Sequence, residues 1–197
     1  QTFVILVASI DLSVAFVISL AAVLASFIMQ GNPAMIAVAV PLILLLGMAI
    51  GLVNGLLVTR LKVNPLIATL GVGLIIQGVL STTFQNFAGS VPAEYQQLAY
   101  GKLFGIPAPI ILLLSLVGVA SYVLHRTRFG AHVYAVGGNQ EAARLAGIRT
   151  AKVITSAHVI AGLLAAAAGL FLASRLGSGA PWVGPDGIYD LESIAAV

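Results

Sequence analysis

Long apolar runs, broken at polar, glycine-rich or proline-rich points, make up most of the chain. They cover roughly 13–29, 35–58, 65–84, 106–125 and 153–173. Each is near the ~20 residues a helix needs to cross a bilayer core. Barrel strands alternate between faces and run about ten residues. These runs are longer and uniformly apolar, so they predict helices, which satisfy their backbone groups internally. Residues 1–9 have the character of the end of an earlier span, and 188–197 of the start of a later one. The expectation is an all-α polytopic transmembrane helix bundle forming one domain over 1–197, a fragment incomplete at both ends.

The breaks predict the connections. Gln30-Gly31-Asn32-Pro33 reads as a tight turn, with Pro33 in the first turn of the next helix. Arg60 to Pro65 is a short basic turn, 85–105 a longer polar loop, 126–152 the most charged stretch, and 174–187 a loop rich in Gly, Pro and Ser. Two runs carry small residues every fourth position: Gly47, Gly51 and Gly55, and then Ala157, Ala161, Ala165, Gly169 and Ala173. Such stripes let helix backbones approach closely in lipid.

Composition supports the membrane reading. Of 197 residues, 60% are hydrophobic and 8% charged, against about 25% charged in soluble domains. A surface so poor in charge is expected to face a lipid bilayer. If the spans alternate, Arg60, Lys62, Arg126, Arg128, Arg144, Arg149 and Lys152 share one side, and Lys102 and Arg175 the other. Basic residues concentrate in cytoplasmic loops, so 126–152 is expected in the cytoplasm. The opposite side would hold Glu94, Asp186, Asp190 and Glu192, with Tyr95, Tyr100, Trp182 and Tyr189 suited to a membrane interface. Without cysteine there is no disulfide, thiolate chemistry or cysteine-held zinc. His125, His132 and His158 do not form a metal-ligand spacing.

Few residues suggest chemistry. Asp11 is the acid deepest in an apolar setting, Ala8-Ser9-Ile10-Asp11-Leu12-Ser13. It either caps a helix starting at Leu12 or contacts a solute or ion directly. Asn54, Asn64, Gln77 and Gln85 lie in or beside spans; they bond a neighbouring helix or a solute hydroxyl along a translocation path. His158, beside the alanine stripe, reads as a packing residue. No Ser/His/Asp set or paired-carboxylate cleft stands out, and Gly137-Gly138-Asn139 is not a phosphate-binding loop because no Gly-Lys-Ser/Thr follows. The chain is therefore not expected to be an enzyme, to hydrolyse ATP, or to hold a metal or cofactor. In Gly137-Gly138-Asn139-Gln140-Glu141-Ala142-Ala143-Arg144-Leu145-Ala146-Gly147-Ile148, Asn139 is a good N-cap, Glu141 favours a first turn and Gly147 a helix end. This predicts a helix of about two turns, marginal alone, that docks on its own bundle or on a partner.

Glu141-Ala142-Ala143, with Gly147 four residues after Ala143, resembles the EAA loop of ABC importer permeases. The segment from Gly137 to Ile148 is similar to the ribose-type monosaccharide permeases. So, in the same order, are Ile10-Asp11-Leu12-Ser13-Val14, Asn54-Gly55-Leu56-Leu57-Val58, the stretch from Leu61 to Gly71, Leu172 to Gly179, and Tyr189 to Val197. Ala8, Ser9 and Ala15 stand where that family usually has glycine. The resemblance implies a permease of the bacterial inner membrane that imports a sugar. It implies pairing with a second permease subunit, identical or not, two cytoplasmic ATPase subunits that carry ATP and magnesium, and a periplasmic solute-binding protein. It implies no nucleic-acid partner. Gly137, Gly138, Asn139, Glu141, Ala142, Ala143, Arg144 and Gly147 would couple to the ATPase; Asp11, Asn54, Asn64 and Gln77 would line the path. A branched-chain amino acid permease shares the architecture, and an ion-coupled secondary transporter, for which Asp11 is the one acid on offer, is the more distant alternative.

Overall fold

A computed structural model describes residues 1–187 and 189–196. The apolar runs form α2 (Val14–Met29), α3 (Ile36–Thr59, entered through a 3-10 turn at Pro33–Met35), α4 (Pro65–Thr83), α6 (Ala108–Arg126) and α9 (Thr150–Leu176). Four of these, all but α2, are long and apolar enough to cross a membrane. At 16 residues α2 is shorter, and most of it is buried in the bundle rather than turned to lipid. Before it comes α1 (Thr2–Leu6), separated from α2 by a non-helical stretch. Asn32 and Asn64 cap the turns into α3 and α4, accepting from Ala34 N–H and Leu66 N–H at 3.0 Å each.

Helices α2, α3 and α9 form the centre. The glycines of α3 face α9: a methyl group on Gly51 would lie 2.2 Å from the His158 carbonyl oxygen, and one on Gly47 2.5 Å from that of Gly162. Only a bare Cα permits this approach. The later part of the α9 stripe faces α2 instead, where a methyl on Gly169 would meet the Ile18 carbonyl oxygen at 2.4 Å, while Ala157 and Ala161 join the core with α1 and α7. So α9 turns one narrow face to α3 and the other to α1, α7 and α2 in succession. By contrast α4 and α6 expose broad apolar surfaces, including Leu70, Leu74, Ile75, Leu113, Leu114 and Val117. Helix α6 packs mainly at its ends, against α5 and β2 and against α7.

Three connections differ from the expectation. The loop 85–105 contains α5 (Ala93–Tyr100), and a two-residue hairpin, β1 (Lys102–Leu103) and β2 (Ile106–Pro107), follows. Tertiary bonds order α5 over α9: Tyr95 OH donates to Leu170 O (3.2 Å), Ser174 Oγ donates to Tyr95 O (2.9 Å) and Tyr100 OH donates to Arg175 O (2.7 Å). Burial pushes the Tyr95 phenol up to about 12. The charged stretch 126–152 holds α7 (Arg128–Gly138) as well as the short α8 (Gln140–Leu145). Residues 174–187 do not stay outside. After the Ala88–Gly179 bridge the chain runs back along α2, forming α10 (Val183–Asp186), where Gly184 N–H donates to Ser19 Oγ at 2.8 Å. In α11 (Tyr189–Ala195), Tyr189 and Glu192 border a cavity with Gln1 and Val14, at the end of α2 opposite its outer turn. The outer-side placement of Asp186, Tyr189 and Glu192 is thus corrected by a segment that folds inward. Expectations on Ile188, Val197 and the Asp190 side chain lie outside the described residues.

Candidate functional site

The break between α1 and α2 collects a cluster of buried polar groups, Ser9, Asp11, Ser13, Asn54, Thr69 and His158. Ala8 takes a left-handed backbone, φ 56°, the conformation a glycine adopts without cost. The turn brings Ser9 Oγ to 3.0 Å from His158 Nε2. The other ring nitrogen, Nδ1, lies 3.3 Å from Asp11 Oδ2. A carboxylate only accepts, so Nδ1–H donates to Asp11 and Nε2 accepts from the Ser9 hydroxyl. Asp11 Oδ1 takes Ser13 N–H (2.9 Å) and Ser13 Oγ–H (2.6 Å). Asn54 of α3 donates to Ser13 Oγ at 2.8 Å and reaches Asp11 Oδ1 at 3.5 Å. Thr69 of α4 accepts from Leu12 N–H at 3.0 Å.

Asp11 therefore does not cap a helix starting at Leu12. The helix starts at Val14, Ser13 makes no side-chain cap bond, and Asp11 closes an Asx-type turn before it. His158 and Asn54 take the rest of the carboxylate. Asp11, His158 and Asn54 are 1%, 0% and 0% exposed. The node ties together the broken segment, α3, α4 and α9 near the basic end of the bundle. Ser9, His158 and Asp11 stand in the order of a hydrolytic triad that local sequence could not reveal, since Ser9 and His158 are 149 positions apart. Burial shields the hydroxyl from bulk water. Asn54 Oδ1 is buried with no partner among the described residues.

Asn64 and Gln77 are not part of this node. Asn64 is the exposed cap of α4, and Gln77 Nε2 donates to Ser81 Oγ (3.2 Å), one turn along its own helix.

The second cluster is the segment 137–148. Asn139 Oδ1 accepts from Ala142 N–H at 2.9 Å, so the predicted cap is present. Gly147 has φ 85°, and the helix ends with Gly147 N–H on Arg144 O and Ile148 N–H on Ala143 O, both 3.0 Å. Glu141 and Arg144 form an exposed ion pair at 2.5 Å. The hydrogen bond and charge of Arg144 hold the Glu141 carboxyl below its usual range. Ala142 is exposed, whereas Ala143 turns inward onto the core that includes Val4, Val133 and Val153. Gly137 and Gly138 belong to the last turn of α7, and Gly137 lies so close to the Leu6 carbonyl that a methyl group would clash at 1.8 Å. Helix α8 is thus linked to α1, and through α1 to the Asp11 node, by continuous packing.

Residues 1–197 match the model of the branched-chain amino acid transport system / permease component family. The chain belongs to that family and is a multi-pass protein of the inner membrane. The ribose import permease protein RbsC of Haemophilus influenzae is 36% identical, with 100% of this chain and 62% of that protein covered. The L-arabinose transport system permease protein AraH of Escherichia coli K12 is 39% identical over 66% of this chain and 40% of its own length. The autoinducer 2 import system permease protein LsrD of Yersinia pseudotuberculosis is 32% identical over 90% and 55% respectively. The resemblance to ribose-type permeases thus extends along the whole chain, while the chain spans 62% of the ribose permease's length. No solved structure gives a match.

Proposed function

We propose that this chain forms the larger part of the membrane-spanning permease subunit of an ABC importer, and that its solute is a small sugar. The observation that carries this is the end-to-end similarity to a ribose import permease. The arabinose permease among its relatives agrees with a sugar. The family description names branched-chain amino acids, which keeps that solute as the second reading.

In the proposed mechanism, 126–152 is the coupling region. The exposed face of α8, with Glu141, Ala142 and Arg144, meets a cytoplasmic ATPase subunit that carries ATP and magnesium. Motion of α8 reaches α1 through Ala143 and Gly137, and then the Asp11 node where α2, α3, α4 and α9 converge. Shifting these helices alternates access to a path between two permease subunits, loaded from the outside by a solute-binding protein. Asp11 and Asn54 would act on the path by holding helix positions. Asn64 and Gln77 lie apart from them on α4.

The test is uptake in cells carrying the intact operon, with pull-down of the ATPase by the permease. A Glu141→Lys, Gly147→Val double variant should insert normally but lose ATPase binding and uptake. The first change opposes the helix dipole; the second puts a β-branched residue at positive φ. Normal binding and uptake would reduce α8 to a surface helix. Uptake of labelled leucine but not of labelled ribose or arabinose would favour the second reading.

A further inference from the structure

A second cavity of about 480 Å³ opens at the basic end of the bundle, between α7 and the start of α9. Phe129 and His132 line it from α7; Arg149, Lys152 and Val153 line it from the other side, with Ile148 between. Both positive side chains line this same cavity. Neither joins the Glu141–Arg144 ion pair or the Asp11–His158 contact, the charged-group pairings among the described residues. No carboxylate appears in the lining. Two cations and an imidazole therefore face a cavity that supplies no counter-charge. Phe129, Ile148 and Val153 give the same cavity an apolar side.

Its height narrows the choice of ligand. Lys152 and Val153 belong to the first turn of α9, a helix long enough to cross the membrane. The cavity thus sits where the apolar span meets the basic end, the level of lipid phosphates. A phosphate next to a glycerol and acyl chain matches cations beside Phe129, Ile148 and Val153; a free anion would leave the apolar side unused. We infer that this cavity binds the headgroup of an acidic phospholipid from the cytoplasmic leaflet, with Arg149 and Lys152 on the phosphate and Phe129, Ile148 and Val153 against the glycerol and upper acyl chain. Basic pockets between helices on this side of a membrane suit such headgroups. The inference goes beyond the transport reading and needs only the membrane orientation.

The test takes the full-length transporter complex, purified in mild detergent and given equal amounts of phosphatidylglycerol and phosphatidylcholine. Bound lipid is counted by native mass spectrometry. The parent protein should retain phosphatidylglycerol in preference. Arg149→Gln and Lys152→Gln should each reduce that preference about fivefold, as expected for one charge near an anionic surface. Arg60→Gln, at the same end but outside the cavity, should leave it unchanged. Equal retention of the two lipids by the parent protein overturns the inference whether or not the variants fold. So does an unchanged preference in a folded Arg149→Gln, Lys152→Gln protein. Displacement of the lipid by millimolar inorganic phosphate would make this a free-anion site and overturn the lipid assignment. Binding by the permease alone that disappears in the complex would assign the surface to the ATPase and overturn it as well. Sugar uptake is not a readout, so failure of the transport reading leaves this result separate.

Discussion

At the scale of single residues, the Asp11 node shows how one acid serves several helices. A buried pair broken by removing one partner leaves an uncompensated polar group, at a cost of about 3–5 kcal/mol. Asp11→Leu should lose about that much stability, because His158 Nδ1–H, Ser13 N–H and Ser13 Oγ–H lose their carboxylate acceptor. Asp11→Asn keeps an acceptor for Ser13 N–H and gives up the charge toward His158, so its cost should be nearer the ~1–3 kcal/mol of one unsatisfied buried bond. Thermal melting in detergent ranks the two; equal melting of Asp11→Leu and the parent would sink the node. The sequence marked Asp11 as unusual and Asn54 as a helix-bonding candidate. It did not show that they meet, because Ser13, Asn54 and His158 come from three separate elements. The replacements at Ala8 and Ser9 also gain meaning here. Ala8 keeps the left-handed turn that glycine would make easily, and Ser9 supplies a hydroxyl to His158 that glycine lacks.

At the scale of elements, most long helices were legible because period and length alone specify them. The ends of α3 and α4 fall within a residue of the apolar runs. Helices α5 and α7 were missed for a physical reason: each is short and mixed in polarity, and becomes ordered by packing. Tyr95 reaches α9 over α5, and Val133 and Val136 dock α7 on α1 and α9. The glycine stripe was legible as a close-packing face, but its partner was not. Gly51→Ala should be costly because the new methyl would sit 2.2 Å from a backbone oxygen, which side-chain motion cannot relieve. Overpacking of this kind costs about 1–3 kcal/mol. Gly118→Ala on α6, where nothing lies within 4 Å, should be neutral or slightly stabilising. Melting temperatures of the two variants, compared with the parent, decide it; equal effects would mean that α3 and α9 do not touch along this face.

At the scale of the whole molecule, the basic residues gather at one end. Thr59 and Thr155 hydroxyls lie 3.1 Å apart, which sets the end of α3 beside the start of α9 and so joins the Arg60 turn to the 126–152 region. The positive-inside pattern then orients the bundle. Cysteines placed at Asn139 and Gln96 in the full-length protein should react from opposite faces of intact cells and inverted vesicles; labelling of both from outside would refute the orientation. The contact between α3 and α9 also has a consequence for biosynthesis. Gly55 O and Thr155 Oγ1 lie 100 positions apart in the chain. At a translation rate of about 5–20 residues per second, roughly 5–20 s pass between their syntheses. Through that interval the narrow glycine face of α3 has no partner from its own chain. The centre of the bundle can close only after α9 leaves the ribosome, so assembly is a late event, and a chain stopped before α9 would present its quality-control machinery with an open seam.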